Sequence, residues 1–354
     1  MSKIRKKIGI LTAGGDCPGL NAAIRGVGKT ALLKYGYDVI GFSSGFLGLI
    51  RNEYKVLDER ALSGILTLGG TILGSSREKP FKHSEYDDYI KSKPEIIQEN
   101  YNALGLDCLV CIGGNGTQKT AWRLSKLGLN VVGIPKTIDN DVWGTDLTFG
   151  FDSAVTIAAE AIDRLHSTAN SHKRIMVVEL MGHNAGWLTL HAGIAGGGDV
   201  ILIPEIPYDL DIIVSYLKRR SKLGKPYSIV VVAEGIKLPK KKNGESRNVP
   251  AGAFIANQIK KRTGMETRET ILGYIQRGGS PTARDRIVAT ELGAFAAEMI
   301  AMGNYGKMSA YRGYDLVAVP LEEVAGKVKT VPSDYHLITH ARSLDTCFGD
   351  VLPD

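Results

Sequence analysis

The stretch NVVGIPKTIDND, residues 130–141, joins an apolar run to a short polar loop. The apolar run is typical of a buried parallel strand, so the loop lies at the strand's carboxyl end, where open α/β sheets bind their ligands. The loop contains a cation (Lys136), a hydroxyl (Thr137) and two carboxylates (Asp139 and Asp141). Phosphoryl transfer needs positive charge, a metal ligand and a base beside the attacking hydroxyl, and this set supplies all three. Taken alone, the loop is equally well explained as a polar turn.

Glycine-rich loops recur in the same half of the chain. The strand predicted over residues 7–12 is followed by a glycine turn and a helix that begins near Leu20. Comparable loops occupy residues 69–77 and residues 113–117. Backbone N–H groups at a helix N-terminus form a ready site for anions. The loops match neither GxGxxG nor GxxxxGK[ST], which disfavours a dinucleotide site and a P-loop. Together with the polar loop, they predict a cleft that binds a polyphosphate.

The order of strand, loop and helix continues through the second half of the chain. A helix is predicted over residues 152–168, and strands are predicted over residues 174–180, 200–204 and 228–233. Such alternation predicts parallel sheets that are covered by helices. We therefore predict an α/β fold of two Rossmann-like, doubly wound domains that face each other across a cleft.

The composition is that of a globular protein, with 44% hydrophobic and 23% charged residues. No apolar run reaches the ~18 residues of a membrane span, and the first residues lead into a strand pattern rather than a signal peptide. We expect a cytoplasmic protein with no membrane partner. The formal net charge of +7 invites a nucleic-acid hypothesis, but the densest basic cluster, residues 237–242, has no interleaved aromatic side chains. We expect an anionic small-molecule substrate and no nucleic acid.

The four cysteines do not follow the pattern of a zinc site or of a disulfide framework. Cys108 and Cys111 have CxxC spacing, but they fall in a predicted buried strand, and no second pair completes a site. We interpret them as structural thiols. The seven histidines show no spacing typical of metal ligands.

Two arginines and a tyrosine stand near a predicted extended segment late in the chain: Arg268, Tyr274 and Arg277. The arginines offer bidentate donors for a phosphate, and the tyrosine adds a directional hydroxyl. The alternative is an ordinary surface on which these arginines pair with neighbouring carboxylates such as Glu266 and Glu269.

With these loops assembled, the sequence resembles the phosphofructokinase family over nearly its full length. The resemblance lies in stretches that follow the family's order and spacing: LTAGGDCPGLNAAIRG, GGTILGSSR, IGGNGT, PKTIDND, VVELMGHNAGW, VVAEG and ETILGYIQRGGSP. It implies Mg²⁺-dependent transfer of the γ-phosphoryl group of ATP to the 1-hydroxyl of fructose 6-phosphate, which gives fructose 1,6-bisphosphate in glycolysis. It also implies a donor-phosphate (ATP) domain of residues 1–150 and 276–326, and a sugar-phosphate domain of residues 151–275 and 327–354.

The resemblance assigns roles to residues of the first domain. Asp139 matches the general base, Asp141 a carboxylate that holds Mg²⁺, and Thr137 a contact to the substrate and transition state. Lys136 stands beside the transferred phosphoryl group, and Arg77 is also expected to assist catalysis. The donor phosphates are implied to bind the glycine loops through Gly14, Gly15, Arg77, Gly114, Asn115, Gly116 and Thr117.

The resemblance also assigns the acceptor site. The sugar is implied to contact Met181, Gly182, His183 and Glu234. The 6-phosphate is implied to be held by Arg174, Arg268, Tyr274 and Arg277. Arg174 and Arg268 are expected to reach across a subunit interface, so the resemblance implies a homo-oligomer, which we expect to be a tetramer. A related acceptor such as sedoheptulose 7-phosphate fits the same phosphate grip.

Three positions bear on the donor and the metal. Gly116 leaves room for an α-phosphate and a nucleoside, which favours ATP, whereas Lys136 is typical of pyrophosphate enzymes and mixed-substrate relatives. We give Gly116 more weight, because a carboxylate there repels an α-phosphate while a lysine serves either donor. Asn115 replaces a family aspartate near the metal, and its neutral amide is expected to hold Mg²⁺ less strongly.

Two alternative functions remain open at the level of sequence. The first is a pyrophosphate-dependent fructose-6-phosphate 1-phosphotransferase, which Lys136 favours. The second is a catalytically weak paralogue that acts as a ligand-binding or regulatory subunit. Asn115 motivates this second alternative, and the presence of Asp139 and Arg77 argues against it.

Overall fold

The computed structural model describes residues 5–82, 91–240 and 245–353 of the chain. The chain divides into two compact units, each made of two stretches. The first unit contains Met1–Ser153 and Arg277–Val328, and the second contains Ala154–Gln276 and Lys329–Asp354.

Strands and helices alternate along most of the described residues. The strands are β1 (Lys7–Ala13), β2 (Asp38–Phe42), β3 (Tyr54–Val56), β4 (Cys108–Gly113), β5 (Val131–Pro135), β6 (Ile175–Leu180), β7 (Val200–Leu202), β8 (Ser228–Ala233), β9 (Thr267–Ile271), β10 (Lys307–Arg312) and β11 (Asp315–Pro320). The α-helices are α1 (Leu20–Lys29), α2 (Phe46–Arg51), α3 (Lys93–Ala103), α4 (Asn115–Lys126), α5 (Phe151–His172), α6 (Trp187–Ala195), α7 (Leu210–Lys222), α8 (Ala251–Thr263), α9 (Ala283–Ala301), α10 (Leu321–Val324) and α11 (His336–Ser343). A π-helical turn (Thr30–Lys34) continues α1, and a 3₁₀ helix (Gly273–Arg277) precedes α9.

A mixed sheet forms the centre of the first unit. Its order, over the described residues, is β11-β10-β5-β4-β1-β2-β3, and only the two edge strands β3 and β11 run antiparallel to their neighbours. Ala13 pairs with Gly113, which pairs with Pro135, so the carboxyl ends of β1, β4 and β5 are level. The chain runs outward from β1 to β2 and then returns on the other side at β4. The topological switch point, where such sheets bind ligands, therefore lies between β1 and β4.

The second unit contains a parallel sheet with the order β7-β8-β6-β9 over the described residues. Every residue of β6 and β8 is buried, as expected for parallel strands covered on both faces. Side chains of β6 and β8, including Val177, Val230 and Val232, pack in one core with Ile255 and Ile259 of α8. β9 forms an edge of this sheet and is mostly exposed.

The predicted α/β fold is confirmed, with one sheet mixed and the other parallel. Two helices differ from the prediction: α5 continues to His172 rather than ending at residue 168, and α4 begins within the predicted third glycine loop. The helix after the third glycine loop begins at Asn115, so Asn115, Gly116 and Thr117 form its first turn rather than part of the loop. The residue that precedes this helix is Gly114, whose extended backbone has no side chain to act as a cap. Without a Ser, Thr, Asp or Asn at that position, the sequence contains no signal for the start of the helix.

Other features of the described ranges bear on the class of protein. No helix in them is both long and apolar enough to cross a membrane. The prediction of structural thiols is confirmed, because all four cysteines lie in these ranges and each is a buried free thiol. Residues 241 and 242, which end the basic cluster, lie outside the described residues.

Helices α1 and α9 cross in the first unit with their backbones in direct contact. A Cβ atom on Gly293 would lie 2.6 Å from the carbonyl oxygen of Ala23, and one on Gly26 would lie 2.6 Å from the carbonyl oxygen of Thr290. Only glycine permits this approach, because both neighbouring atoms belong to the backbone and cannot rotate away.

We expect the substitution Gly293→Val to lower the stability of the first unit. Overpacking of this kind costs about 1–3 kcal/mol, which corresponds to a fall in Tm of roughly 3–10 °C. Scanning calorimetry measures the change. Arg284→Val, on an exposed turn of the same helix, controls for the helix propensity of valine. A Gly293→Val protein whose Tm matches that of the control would contradict the direct backbone contact.

Candidate active site

The polar loop after β5 is organised by the hydroxyl of Thr137. This hydroxyl accepts a hydrogen bond from the backbone N–H of Asp139 at 2.9 Å and donates one to Oδ1 of Asp141 at 3.1 Å. Between the two carboxylates, Asn140 has a φ of 49°, in the left-handed region that asparagine tolerates better than most residues. The loop is therefore a fixed turn that presents two carboxylates beside one hydroxyl.

The first turn of α4 meets this loop. The amide Nδ2 of Asn115 donates to Oδ2 of Asp141 at 2.8 Å and to its carbonyl oxygen at 3.2 Å. Oδ1 of the same amide is buried and has no hydrogen-bond partner among the described residues. These contacts fix the amide with its nitrogen toward Asp141. Oδ1 of Asn115 is therefore an available acceptor next to the carboxylate of Asp141.

Gln118, which the sequence analysis did not identify, joins the ends of β4 and β5. Its side-chain Nε2 donates to the carbonyl oxygens of Gly113 and Ile134 at 2.8 and 2.9 Å. The side chain is fully buried, and it fits because residue 133 is glycine: a Cβ there would lie 2.1 Å from Oε1 of Gln118. Gln118 therefore holds the two strand ends from which the glycine turn and the polar loop emerge.

Two cations converge on the glycine turn after β1. The amino group of Lys136 donates to the carbonyl oxygen of Gly15, and the guanidinium of Arg277 donates to that of Asp16 at 3.1 Å. Burial lowers the pKa of Lys136, and the nearby guanidinium of Arg277 acts in the same direction. A Cβ on Gly15 would lie 2.7 Å from Nη1 of Arg277, so glycine lets the guanidinium lie flat against the turn.

A cavity of about 460 Å³ opens beside these groups in the first unit. Gly14, Arg77, Gly116 and Thr117, all predicted to bind the donor, are among the residues that line it. A Cβ added to Gly116 would meet no described atom within 4 Å, so this position faces open space. The turn after β1 is bonded to the neighbouring loop, because the backbone N–H of Gly14 donates to the carbonyl oxygen of Ser76 at 2.9 Å.

Aromatic and basic side chains that were not predicted from the sequence also line the cavity. Phe46 and Phe81 line it together with Arg123, whose guanidinium carbon lies 3.8 Å from the centroid of the Phe81 ring. The stacked guanidinium of Arg123 and ring of Phe81 are suited to contact a planar ligand group. Phe81 lies in a turn, outside any helix or strand, so no periodic pattern in the sequence predicts its place beside the cavity.

In the second unit, the loop after β6 contains the residues predicted to bind the sugar. The backbone N–H of His183 donates to Oε1 of Glu234 at 2.9 Å, so Met181, Gly182 and His183 lie beside Glu234. His183 has a φ of 50° and Gly182 a φ of 141°. A Cβ on Gly235 would lie 1.8 Å from the carbonyl oxygen of His183, so the two loops touch through backbone.

The residues predicted to grip the 6-phosphate are divided between the two units. Arg174 and Arg268 share the carboxylate of Glu266, at 2.9 and 2.8 Å. The hydrogen bond from Arg174 lowers the pKa of Glu266. Tyr274 lies in the 3₁₀ helix with its side chain 73% exposed. Arg277 belongs to the first unit, where it contacts the glycine turn as described above.

Arg174 and the loop of residues 181–186, here called the sugar loop, stand at opposite ends of the same strand. Arg174 precedes the first residue of β6 and Met181 follows the last. A strand rises by about 3.3 Å per residue, so the two ends are separated by roughly 20 Å. Within one copy of the chain, Arg174 and Arg268 therefore do not reach His183 and Glu234.

Groups of side chains that could hold a metal ion are absent from the residues that the structure describes. No three side chains of histidine, cysteine, aspartate or glutamate come together there in a way that would hold a metal ion. The pair of oxygen atoms from Asp141 and Asn115 is the predicted metal site, and it contains one carboxylate and one amide.

The chain is similar to known proteins over nearly all of its length. The family model described as phosphofructokinase matches residues 7–300. A protein of Spirochaeta thermophila named ATP-dependent 6-phosphofructokinase is 59% identical over 358 residues, which cover 98% of each chain. A protein of Bacteroides thetaiotaomicron named ATP-dependent 6-phosphofructokinase 3 is 57% identical over 343 residues, which cover 97% of this chain and 100% of that protein.

A solved structure agrees with these matches. The crystal structure of Pichia pastoris phosphofructokinase in the T-state has a TM-score of 0.81 and 31% identity. The alignment covers 97% of this chain and 37% of the yeast chain, so this chain spans less than half the length of that protein. On the extent of these matches, the chain belongs to the phosphofructokinase family.

Proposed function

We propose that this protein is an ATP-dependent 6-phosphofructokinase, which transfers the γ-phosphoryl group of ATP to the 1-hydroxyl of fructose 6-phosphate. The observation that carries the proposal is the identity of 57–59% to relatives of that name over almost the full length of both chains. The product is fructose 1,6-bisphosphate, an intermediate of glycolysis. We propose a cytoplasmic location, because glycolysis takes place there.

Asp139 is the general base of the proposed reaction. Its carboxylate accepts the proton of the 1-hydroxyl as the bond from that oxygen to the γ-phosphorus forms and the bond to the β-phosphate oxygen breaks. The contact from the backbone of Asp139 to the Thr137 hydroxyl supports this role, because it fixes the position of the base within the turn. ADP leaves with the electron pair of the broken bond.

The donor phosphates bind the glycine loops in this proposal. The backbone N–H groups at the start of α4, from Asn115 to Thr117, point their positive end toward the donor. Arg77 lines the same cavity and supplies a bidentate cation, and buried Lys136 lies beside the turn that contains Gly14 and Gly15. The nucleoside occupies the cavity with its base against Phe46 and the stacked pair of Phe81 and Arg123.

The residues near the donor fit a magnesium ion. Mg²⁺ prefers oxygen ligands and uses few from the protein, with substrate phosphates and water completing its shell. Asp141 supplies a carboxylate, and Asn115 supplies the buried Oδ1 that has no partner among the described residues. When bound, the ion neutralises negative charge on the donor phosphates.

The acceptor site is completed by a second copy of the chain. Met181, Gly182, His183 and Glu234 contact the sugar, with Tyr274 and Arg277 as further phosphate ligands. The distance along β6 supports a contribution of Arg174 and Arg268 from a neighbouring subunit, since these two arginines do not reach the sugar loop of their own chain. We propose a homo-oligomer, and specifically a tetramer.

The donor is tested by assaying the purified protein with fructose 6-phosphate and either Mg·ATP or Mg·pyrophosphate. We expect turnover with ATP. A carboxylate at position 116 fits the open space there but repels the α-phosphate, so Gly116→Asp is expected to lower kcat/KM for ATP by at least ~10-fold. Turnover with pyrophosphate and none with ATP would instead support the pyrophosphate-dependent phosphotransferase, which remains the second candidate because of Lys136.

The role of the base is tested with Asp139→Asn, which keeps the shape of the side chain and removes its basicity. We expect kcat to fall by about 10²–10⁴-fold, with KM for both substrates little changed. Asp146→Asn, which alters a carboxylate that accepts from the backbone of Gly313, serves as the control. Wild-type kcat in the Asp139→Asn protein would refute the assignment, and an inactive wild type would favour the regulatory paralogue.

Asn115→Asp tests the metal site. The new carboxylate attracts Mg²⁺ more strongly, so the Mg²⁺ concentration for half-maximal activity should fall several-fold. Without Mg²⁺, the two carboxylates repel each other, and Tm should drop below that of the wild type. Adding Mg²⁺ should then raise Tm more in the variant than in the wild type. An identical response of both proteins to Mg²⁺ would show that this pair does not hold the ion.

A further inference from the structure

The sugar loop, residues 181–186, emerges from a row of three neighbouring strand ends. The sheet order places β7, β8 and β6 side by side and parallel, so the segments that follow them leave from the same edge. The loop follows β6, Glu234 directly follows β8, and Glu205 stands shortly after β7. Each of the two neighbouring segments therefore provides one carboxylate to the edge at which the sugar loop lies.

Glu205 binds the end of the sugar loop. Its Oε1 and Oε2 accept from the backbone N–H of Gly186 at 2.9 and 3.1 Å. Gly186 is the residue at which the chain enters α6, since the backbone N–H of Leu190 donates to its carbonyl oxygen. A carboxylate at this position also complements the positive end of the helix.

The contact depends on glycine at position 186. A Cβ there would lie 2.6 Å from Oε2 of Glu205 and 2.5 Å from Cβ of Ile203. The side chain of residue 186 must therefore be absent for the carboxylate to reach the backbone. This close approach leaves the end of the loop little freedom to shift along the helix axis.

The two carboxylates hold different points of one loop. Glu234 accepts from the N–H of His183, and Glu205 accepts from the N–H of Gly186. Between these points, the backbone N–H of Ala185 donates to the carbonyl oxygen of Gly182 at 3.0 Å, which closes a tight turn. The positive φ of His183 needs such support, because non-glycine residues rarely adopt it.

Glu205 also binds the segment after α10, where the chain enters the second unit again. Its Oε1 accepts from the backbone N–H of Val331 at 2.9 Å, and the indole N–H of Trp187 donates to the carbonyl oxygen of Lys329 at 2.9 Å. The carboxylate of Glu205 thus connects this segment to the end of the sugar loop. The hydrogen bond from Trp187, the first residue of α6, is a second connection to the same segment.

We propose that Glu205 is a positioning residue for the sugar-phosphate acceptor: it fixes residues 181–186 in the form that binds the sugar, through the N–H of Gly186. The inference rests on the proposed function, in which Met181, Gly182 and His183 contact the acceptor. Glu205 itself does not touch the reacting atoms. Its loss should weaken acceptor binding and leave donor binding unchanged.

The test is the kinetics of Glu205→Gln, which preserves the size of the side chain and one accepting oxygen. We expect KM for fructose 6-phosphate to rise by about 10-fold, since small displacements of positioning groups have effects of this order or larger. KM for ATP should stay within about two-fold of the wild type. The affinity for fructose 6-phosphate measured by calorimetry should fall by the same factor as KM rises.

Gly186→Ala changes the same contact from the side of the loop, because the added Cβ displaces the carboxylate of Glu205 from the backbone N–H of residue 186. It should reproduce the selective rise in KM, and the double variant should show less than the sum of the two effects on the free-energy scale. Asp209→Asn is the matched control, since that carboxylate caps α7 by accepting from the N–H of Asp211 at 2.7 Å. Its KM values should match the wild type.

The outcomes separate the inference from the proposed function. A wild-type enzyme that phosphorylates fructose 6-phosphate, with an unchanged acceptor KM in both Glu205→Gln and Gly186→Ala, would overturn the inference alone. A fall in the Tm of Glu205→Gln without a change in its acceptor KM would mean that Glu205 only stabilises the fold. That result would also overturn the inference. A wild-type protein that neither binds nor phosphorylates fructose 6-phosphate would overturn both proposals.

Discussion

The register of three parallel strands determines where the chemistry of the first unit lies. Because Ala13, Gly113 and Pro135 pair side by side, the segments that follow β1, β4 and β5 begin at the same level of the sheet. Gln118 fixes two of these ends by donating to the carbonyl oxygens of Gly113 and Ile134. A shift of one strand by a single residue would turn its side chains to the opposite face and separate Asn115 from Asp141. The site thus depends on backbone pairing before any of its side chains acts.

Burial of charge distinguishes the members of this site. Asp139 and Asp141 are half-buried, whereas Lys136 is 4% exposed and its ammonium group is bonded to a carbonyl oxygen. Burial of this cation is costly, and in the proposed reaction a phosphoryl group beside it compensates the charge. Gly116 acts differently, since it adds no charge and keeps space open above the first turn of α4. In the proposed reaction, Lys136 therefore bears on the choice of donor through its charge, and Gly116 through the space that it leaves.

The sequence predicted best those parts of the structure that depend on short-range patterns. The apolar runs of β4, β5 and β8 and the glycine turns after β1 and β4 were identified because their spacing is local. Phe46, Phe81, Arg123 and Gln118 were missed because their roles arise only when distant segments meet. The local pattern grouped Arg277 with Arg268 and Tyr274, whereas the resemblance to the family implied a domain boundary at residue 276, one residue from the boundary between the two units. A run of residues with one chemical character does not reveal that its members belong to different units.

The carboxylate shared by Arg174 and Arg268 has a consequence for selectivity among anions. Oε1 of Glu266 binds one nitrogen of each guanidinium, so an anion that binds these two nitrogens must displace that oxygen. A singly charged carboxylate or a halide gains little from such an exchange, because it replaces one negative charge by another. A phosphate monoester carries nearly two charges and three terminal oxygens, so it forms more charge-assisted bonds than the carboxylate that it displaces. If the arginine pair binds the 6-phosphate as proposed, Glu266 acts as an internal competitor that favours phosphate esters over small anions with a single charge.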